Sequence, residues 1–149
     1  MKAHIIGDKK LMEAFDELKR TSTKELEKEI MAAGLLVKTT AVEKIQQSPA
    51  SGEWYFNYKS HRWHRASAPG EPPATDEGIL ASSIEVKQVG NNVYVFTGKK
   101  YGKYLELGTL HIAPRPWLKP SLKEHRDDIQ KNIGRAIMRG AKKAKQKGE

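Results

Sequence analysis

The sequence predicts an α+β fold in which a small antiparallel sheet packs against a long N-terminal helix and a C-terminal helix. Three observations predict it. Apolar residues recur every three or four positions over residues 8–47, and they do so again from residue 118 onward, as in amphipathic helices. Between these stretches, two short runs of β-branched and aromatic residues flank Gly90-Asn91-Asn92, as in a hairpin. The length suits one domain over residues 1–149.

The N-terminal helix is predicted over residues 8–47, ahead of Pro49. Ser22 followed by Glu25 is a capping-box pattern, so we expect the segment to break into two helices near residues 21–23. One apolar stripe runs along the whole segment. It consists of Leu11, Phe15, Leu18, Ser22, Leu26, Ile30, Ala33, Val37, Ala41 and Ile45.

Residues 53–109 are predicted to hold the sheet. Aromatic residues alternate in residues 53–66, which favours a strand pair with its turn near residues 59–61. Residues 67–77 carry three prolines and a glycine and are predicted to form a loop. The hairpin is predicted from strands at residues 79–89 and 93–97. Residues 101–107 do not alternate, which favours a short helix.

The C-terminal helix is predicted over residues 116–144, with a basic tail to residue 149. Pro116 fits its first turn, where a missing N–H costs nothing. We expect five residues to form the core between this helix and the hairpin: Leu105, Leu107, Trp117, Leu118 and Leu122.

Charge is concentrated at the C-terminal end. The net charge is +9, and residues 101–149 hold twelve basic and five acidic side chains. A basic block indicates an acidic partner such as nucleic acid, an acidic protein face or a membrane surface, and a solvated helix face is the alternative. The candidate contacts are Lys131, Arg135, Arg139, Lys142 and Lys143. No apolar run has the length of a signal peptide or a membrane span, so we expect no membrane and synthesis in the cytoplasm.

Sites with chemistry are sparse in the sequence. It has no cysteine, no G-x-S-x-G element and no P-loop, and His61 and His64 would not share a face of the strand pair. Glu106 lies between two leucines, which suits either an acid–base residue or a polar cap of a turn. We therefore expect no enzyme, no metal site and no cofactor.

The aromatic segment has two interpretations. Aromatic rings beside cationic side chains can stack bases and hold phosphates, and they can equally build a small core. The residues concerned are Trp54, Tyr55, Phe56, Tyr58 and Trp63, with Lys59, Arg62 and Arg65.

Two stretches carry a family pattern: SAPGEPPATDEGILASSI at residues 67–84 and YGKYLELGTLHIAPRPWLKPSL at residues 101–122. They resemble the tail-component family of long-tailed bacteriophages, also described as minor tail or head–tail joining proteins. Three positions depart from the family pattern: Leu107, where an aromatic residue is usual, Trp117, where phenylalanine is usual, and Ser121, where alanine is usual. The residues that we assign to the pattern are Pro69, Gly70, Pro72, Pro73, Asp76, Gly78, Leu80, Ser83, Ile84, Tyr101, Tyr104, Glu106, Gly108, Thr109, Arg115, Pro116, Trp117, Leu118 and Pro120.

The resemblance implies a non-enzymatic structural subunit of a phage or prophage virion. Its place would be head–tail joining or tail completion at the neck, as an oligomeric ring that contacts neighbouring head, neck and tail proteins. It would be made in the host bacterial cytoplasm. The 67–77 loop and an exposed strand edge are plausible contacts in such a ring, and the basic C-terminal face could line a DNA channel. The alternatives are a stand-alone basic nucleic-acid-binding module and, more weakly, a hydrolase.

Overall fold

The predicted α+β fold is confirmed by a computed structural model, which describes residues 8–147. The elements, in chain order, are α1 (Asp8–Gln46), β1 (Trp54–Asn57), β2 (Arg62–Arg65), α2 (Ile79–Ser82), β3 (Ile84–Val89), β4 (Asn92–Thr97), α3 (Lys100–Leu107) and α4 (Leu118–Lys147). Within residues 8–147, no helix combines the length and the apolar character needed to cross a membrane.

Helix α1 is continuous, so the predicted break near residues 21–23 is wrong. The Thr21 hydroxyl lies 2.8 Å from the carbonyl oxygen of Glu17 and 2.9 Å from that of Gly140 in α4, so it can donate to either. A side chain at position 140 would overlap the backbone of Ser22. The small hydroxyl residues therefore mark the place where two helices touch, and they do not cap a new helix.

Helices α1 and α4 pack antiparallel along most of α4. The contact is bordered by ion pairs that join carboxylates and cations of the two helices. These are Lys44–Glu124 at 2.7 Å, Arg139–Glu29 at 2.9 Å, Lys143–Glu25 at 2.6 Å and Lys147–Glu17 at 3.3 Å. The chain therefore forms a helical hairpin whose two arms are separated in sequence by the strands.

The strands form two separate two-stranded sheets, where the sequence suggested one small sheet. In the first, β1 pairs with β2 from Trp54 opposite Arg65 to Asn57 opposite Arg62, which confirms the aromatic strand pair. Its turn lacks an Asn-Gly pair but uses Asn57, whose side-chain oxygen accepts hydrogen bonds from two backbone N–H groups of the turn at 3.0 and 3.2 Å.

The second sheet is the predicted hairpin, β3 with β4, and it lies on α1. Gly34 of α1 leaves room for this contact, because a side chain there would meet Val93 and Val86. The predicted strand at residues 79–89 is wrong over its first part, because residues 79–82 form the short helix α2. Gly78 precedes α2 with a φ of +70°, which glycine adopts without strain.

The core lies where α1, α2, β3 and the start of α4 meet. Its buried members are Ala41, Ile45, Leu80, Ala81, Ile84 and Trp117, with Val42, Val95, Leu105 and Leu118 packed against them. The prediction that Leu107 and Leu122 belong to the core is wrong, because both are exposed. Leu107 ends α3 just before Gly108 turns the chain, and Leu122 borders an open groove between α1, β4 and α4.

Candidate assembly site

The two stretches that carry the family pattern are hydrogen-bonded to each other. Arg115 donates from Nε to the carbonyl oxygen of Ser67 at 3.1 Å, and the N–H of Gly70 donates to the carbonyl oxygen of Pro114 at 2.9 Å. Leu80 of the first stretch lies beside Gly102 of the second, where a side chain would be tightly confined. The two stretches, which are separate in the sequence, therefore form one packing unit.

Glu106 caps α4. Its carboxylate accepts hydrogen bonds from the backbone N–H groups of Trp117 at 2.7 Å, Leu118 at 2.8 Å and Lys119 at 2.9 Å. The first N–H groups of a helix have no partner within the helix, so these bonds satisfy them. Of the two interpretations of Glu106 from the sequence, the structure therefore bears out the polar cap.

The start of α4 corrects the prediction for Pro116. The helix begins at Leu118, so Pro120, and not Pro116, lies in its first turn. Proline has no N–H, which leaves one fewer donor for Glu106 to satisfy. Trp117, just before the helix, is buried, and its indole N–H donates to the carbonyl oxygen of Gly102 at 3.2 Å. The joint between α3 and α4 is thereby fixed at several points.

The loop between α3 and α4 presents an apolar side chain. Gly108 begins it with a φ of +74°, and the N–H of Thr109 donates to the carbonyl oxygen of Ile112 at 2.8 Å. The Thr109 hydroxyl accepts from the N–H groups of His111 at 3.2 Å and Ile112 at 3.1 Å. Leu110, inside this turn, is 100% exposed. These hydrogen bonds therefore fix the turn in a conformation that leaves Leu110 exposed to solvent.

The proline-rich loop is hydrogen-bonded through Glu71 and Pro72 to the segment that follows α1. The N–H of Ala68 donates to the Glu71 carboxylate at 2.9 Å, the Ser51 hydroxyl donates to the same carboxylate, and the Ser48 hydroxyl donates to the Pro72 carbonyl oxygen. The Ser51 hydrogen bond, followed by that of Ala68, lowers the pKa of Glu71. Pro73 is buried, whereas Pro69 and Gly70 are exposed. The exposed residues Pro69 and Gly70 therefore lie between residues that hydrogen bonds hold in place.

Asp76 joins this loop to the first hairpin. Its carboxylate accepts from the Asn57 amide at 2.6 Å and lies 3.6 Å from His64 Nδ1. Together with Tyr55, these groups line a pocket of about 690 Å³ between the hairpin, the loop and α3. Burial, and then the negative charge of Asp76, raise the pKa of Tyr55.

The remaining residues of the pattern divide between core and surface. Ile84 is fully buried, and the Ser83 hydroxyl lies 2.6 Å from that of Thr97 across the β3–β4 pair. Tyr101 and Tyr104 are exposed at the rim of the pocket. Burial, and then the charge of Glu77, raise the pKa of Tyr101.

The first hairpin has one face toward the pocket and one toward solvent. Tyr55 and His64 contact each other on the pocket face, with ring centroids 5.1 Å apart. On the other face Phe56 packs edge-on against Trp63 at 5.6 Å, yet Trp63 is 66% exposed and nearby Tyr58 is 82% exposed. Trp54, Tyr58 and Trp63 therefore form a solvent-facing surface rather than a buried core.

The five candidate basic residues divide into two groups, according to whether they are paired with carboxylates of α1. Arg139 and Lys143 lie toward α1 and are paired with its carboxylates. Lys131, Arg135 and Lys142 are exposed, and none of them has a carboxylate partner within residues 8–147. Three of the five predicted residues thus remain candidates for an acidic partner.

The structure brings three titratable side chains together at the pocket, namely Tyr55, His64 and Asp76. Among the described residues, no three His, Asp or Glu side chains are grouped so that they could hold a metal ion. Two features of the site escaped sequence reasoning, namely the Leu110 turn and the contact of Asp76 with Asn57. Thr109 was the local signal for the turn, because a threonine hydroxyl can accept hydrogen bonds from backbone N–H groups two or three residues later. The Asp76 contact joins residues nineteen positions apart and leaves no mark in the sequence.

Comparisons of the chain with protein-family models, with curated proteins and with solved structures gave no match. The likeness to the phage tail-component family therefore rests on the residues of the two stretches themselves.

Proposed function

We propose that the chain is a structural subunit of a tailed-bacteriophage virion, acting in head–tail joining or tail completion, where it assembles as a ring. The observation that carries the assembly part of this proposal is the number of large hydrophobic side chains that are exposed. Within the described residues, eight hydrophobic residues are buried and twenty-two large hydrophobic residues are exposed. Single exposed apolar residues are ordinary, but clusters of them mark surfaces for partners. A subunit that is completed by its neighbours has this character.

The assignment to a phage neck or tail comes from the resemblance. The contacts of the two stretches support it, because Arg115 and Gly70 bond them into one unit at the entrance to α4. The role of Glu106 supports a structural rather than an enzymatic function, since both its oxygens accept backbone N–H groups. The pattern therefore describes a scaffold that holds α3, α4 and the proline-rich loop together.

We infer that the Leu110 turn is a contact in the assembled ring. Leu110 is wholly exposed in the monomer. Its burial by a neighbouring subunit would contribute roughly 1.5–3 kcal/mol to the free energy of association. The turn is fixed by hydrogen bonds to Thr109, so little conformational entropy is lost on docking. The exposed tip of the loop at Pro69 and Gly70 is a second candidate contact.

The test is the assembly state of the purified chain, alone and coexpressed with the proteins encoded by the flanking genes. Negative-stain electron microscopy and light scattering should show closed rings in at least one mixture. The Leu110→Asp variant should lose the rings and keep its circular dichroism spectrum. Leu35→Asp, at an exposed leucine of α1, is the matched control and should keep them. Absence of rings in every mixture, with no virion genes nearby, would contradict the proposal.

A stand-alone nucleic-acid-binding module is the second candidate, because the aromatic face of the first hairpin is exposed. Arg65 lies 6.0 Å from the centre of the Trp54 ring on this face, and Trp63 and Tyr58 are open to solvent. Stacking of one base on an aromatic ring contributes about 1–3 kcal/mol. Trp63→Ala should then weaken single-stranded DNA binding about tenfold in a gel-shift assay at physiological salt.

The salt dependence separates the two candidates. A binding module should lose affinity steeply as salt rises, because phosphate contacts release counterions. The double variant Lys131→Glu/Lys142→Glu should flatten that slope, while Lys19→Glu, an exposed lysine of α1, should not. Tight, salt-dependent binding together with the absence of rings would replace the virion proposal with this one.

A further inference from the structure

Arg115 borders the pocket between the first hairpin, the proline-rich loop and α3, and its charge is unpaired there. The residue is only partly exposed, and within residues 8–147 no carboxylate forms an ion pair with its guanidinium group. Its Nε donates to the carbonyl oxygen of Ser67, which leaves the two terminal nitrogens without an acceptor in the described chain. A guanidinium group that is partly withdrawn from water and unpaired suits an anionic ligand.

The hydroxyl of Ser67 is a second unpaired group at the same place. Ser67 borders the pocket, and its Oγ is buried with no hydrogen-bond partner in the part of the chain that the structure describes. The residue is 1% exposed, so solvent does not satisfy the hydroxyl either. Buried hydroxyl groups are ordinarily hydrogen-bonded, so an exception marks a position where a partner is missing. Because the Ser67 carbonyl oxygen is the acceptor for Arg115, the two unpaired groups are neighbours.

Both residues are held in place by the fold. The backbone N–H of Arg115 donates to the carbonyl oxygen of Leu105 at 2.6 Å. Gly52 lies so close to the Ser67 carbonyl group that a side chain at position 52 would overlap it. The donors are therefore fixed before a ligand arrives, and little conformational entropy is lost on binding.

The rest of the pocket is mainly apolar and aromatic. Tyr55, Tyr101 and Tyr104 are about half exposed at its rim, while Leu80 is buried and Leu105 is half-buried at its wall. Its volume of about 690 Å³ falls among those of pockets that bind small molecules, which combine apolar walls with a few fixed polar groups. The ligand that fits has an apolar body as well as an anionic group.

The charges around the pocket favour a carboxylate over a phosphate. Glu53, Asp76 and Glu77 also border the pocket, so they repel a doubly charged anion more than a singly charged one. Asp76 is already hydrogen-bonded to Asn57 and does not pair with Arg115. A carboxylate also matches the two terminal guanidinium nitrogens in a bidentate pair.

We propose that this pocket binds a ligand that carries a carboxylate on an apolar body. The carboxylate pairs with the terminal nitrogens of Arg115 and accepts a hydrogen bond from the Ser67 hydroxyl, and the apolar body packs among the tyrosines. The site goes beyond the proposed virion function and does not depend on it, because it lies within one chain. A free carboxylic acid and the carboxyl-terminal residue of a protein present the same chemistry, and the experiment separates these two sources.

The experiment is isothermal titration calorimetry of the full chain with 3-phenylpropionate and with 3-phenylpropionamide, which has the same shape without the charge. The acid should bind with a dissociation constant on the order of 0.1–1 mM, and the amide at least about tenfold more weakly. Arg115→Gln should abolish this preference for the acid. Arg62→Gln is the matched control, because Arg62 is an exposed arginine of the first hairpin outside the pocket, and it should keep the preference.

Ser67→Ala tests the site without removing a hydrogen bond of the fold, since the hydroxyl has no described partner. The melting temperature should stay the same or rise, because an unsatisfied buried group is removed, while affinity for 3-phenylpropionate falls by about three- to tenfold. A hydroxyl with no ligand role would leave the affinity unchanged.

The sources are separated with N-acetyl-glycyl-phenylalanine, which ends in a free carboxylate, and its carboxyl-terminal amide. Tighter binding of this peptide than of 3-phenylpropionate supports the carboxyl terminus of a protein chain, and weaker binding supports a free acid. Equal binding of the acid and the amide overturns the proposal, and so does a preference that Arg115→Gln and Ser67→Ala both leave unchanged. Absence of binding by both 3-phenylpropionate and octanoate at about 10 mM overturns it as well. Tighter binding of phenyl phosphate than of 3-phenylpropionate overturns the choice of a carboxylate.

Discussion

Replacement of Glu106 by alanine tests the joint between α3 and α4. The carboxylate accepts three backbone N–H groups at 2.7, 2.8 and 2.9 Å, and alanine leaves all three without a partner. Loss of a helix N-cap costs about 0.5–2 kcal/mol, and a hydrogen bond to a charged group contributes about 1.5–3 kcal/mol. The bonds share one carboxylate and are partly open to water, so we expect a total of about 2 kcal/mol.

The assay is thermal unfolding followed by circular dichroism at one fixed protein concentration, since any dimer would also shift Tm. For a chain of this length, about 2 kcal/mol lowers Tm by roughly 4–8 °C. Glu106→Gln keeps an oxygen acceptor and should lose about half as much. Glu43→Ala is the matched control, because Glu43 is an exposed glutamate of α1. If Glu106→Ala and Glu43→Ala melt within a degree of each other, the capping role assigned to Glu106 is wrong.

Further predictions concern the contact between α1 and α4. Gly140→Ala should lower the free energy of unfolding, measured by urea titration, by about 1–3 kcal/mol, because its side chain would overlap Ser22. Gly134→Ala, which has open space around it, should raise that free energy by up to about 1 kcal/mol. The Lys143 hydrogen bond lowers the pKa of Glu25 below its ordinary 4.5. The stability that Glu25 contributes is therefore complete above pH 4.5 and is lost as the pH falls through its lowered pKa. Urea titrations from pH 7 to pH 3 should show a shallower acid loss in Glu25→Gln, and an unchanged loss would contradict this.

The elements with a clear period were predictable from the sequence. Both long helices follow from apolar residues three or four apart, and the β3–β4 hairpin follows from alternation around a Gly-Asn turn. The local pattern and the burial agree where the helices pack on the rest of the fold, whereas Leu11, Phe15 and Leu122 follow the pattern and are exposed. Val37, Ala41 and Ile45, for example, are both periodic and buried.

The errors lie where tertiary contacts outweigh a local pattern. Ser22 and Glu25 form a capping-box sequence, but α4 packs against them and Glu25 bonds Lys143, so the helix continues. Gly34 weakens a helix in isolation, but here its lack of a side chain allows β4 to pack against α1. Ile79 and Leu80 have strand propensity, but burial of Leu80 beside α1 favours one turn of helix. None of these contacts can be derived from neighbouring residues alone.

The candidate site was predictable only in its residues and not in its geometry. The order of the two stretches suggested a family, but nothing in the sequence indicated that Arg115 reaches the carbonyl of Ser67 or that Asp76 reaches Asn57. The exposure of Leu110 could not be predicted either, because an apolar residue next to a predicted core segment is expected to be buried. The resemblance selected the two stretches, and the hydrogen bonds between them show that they form one packing unit.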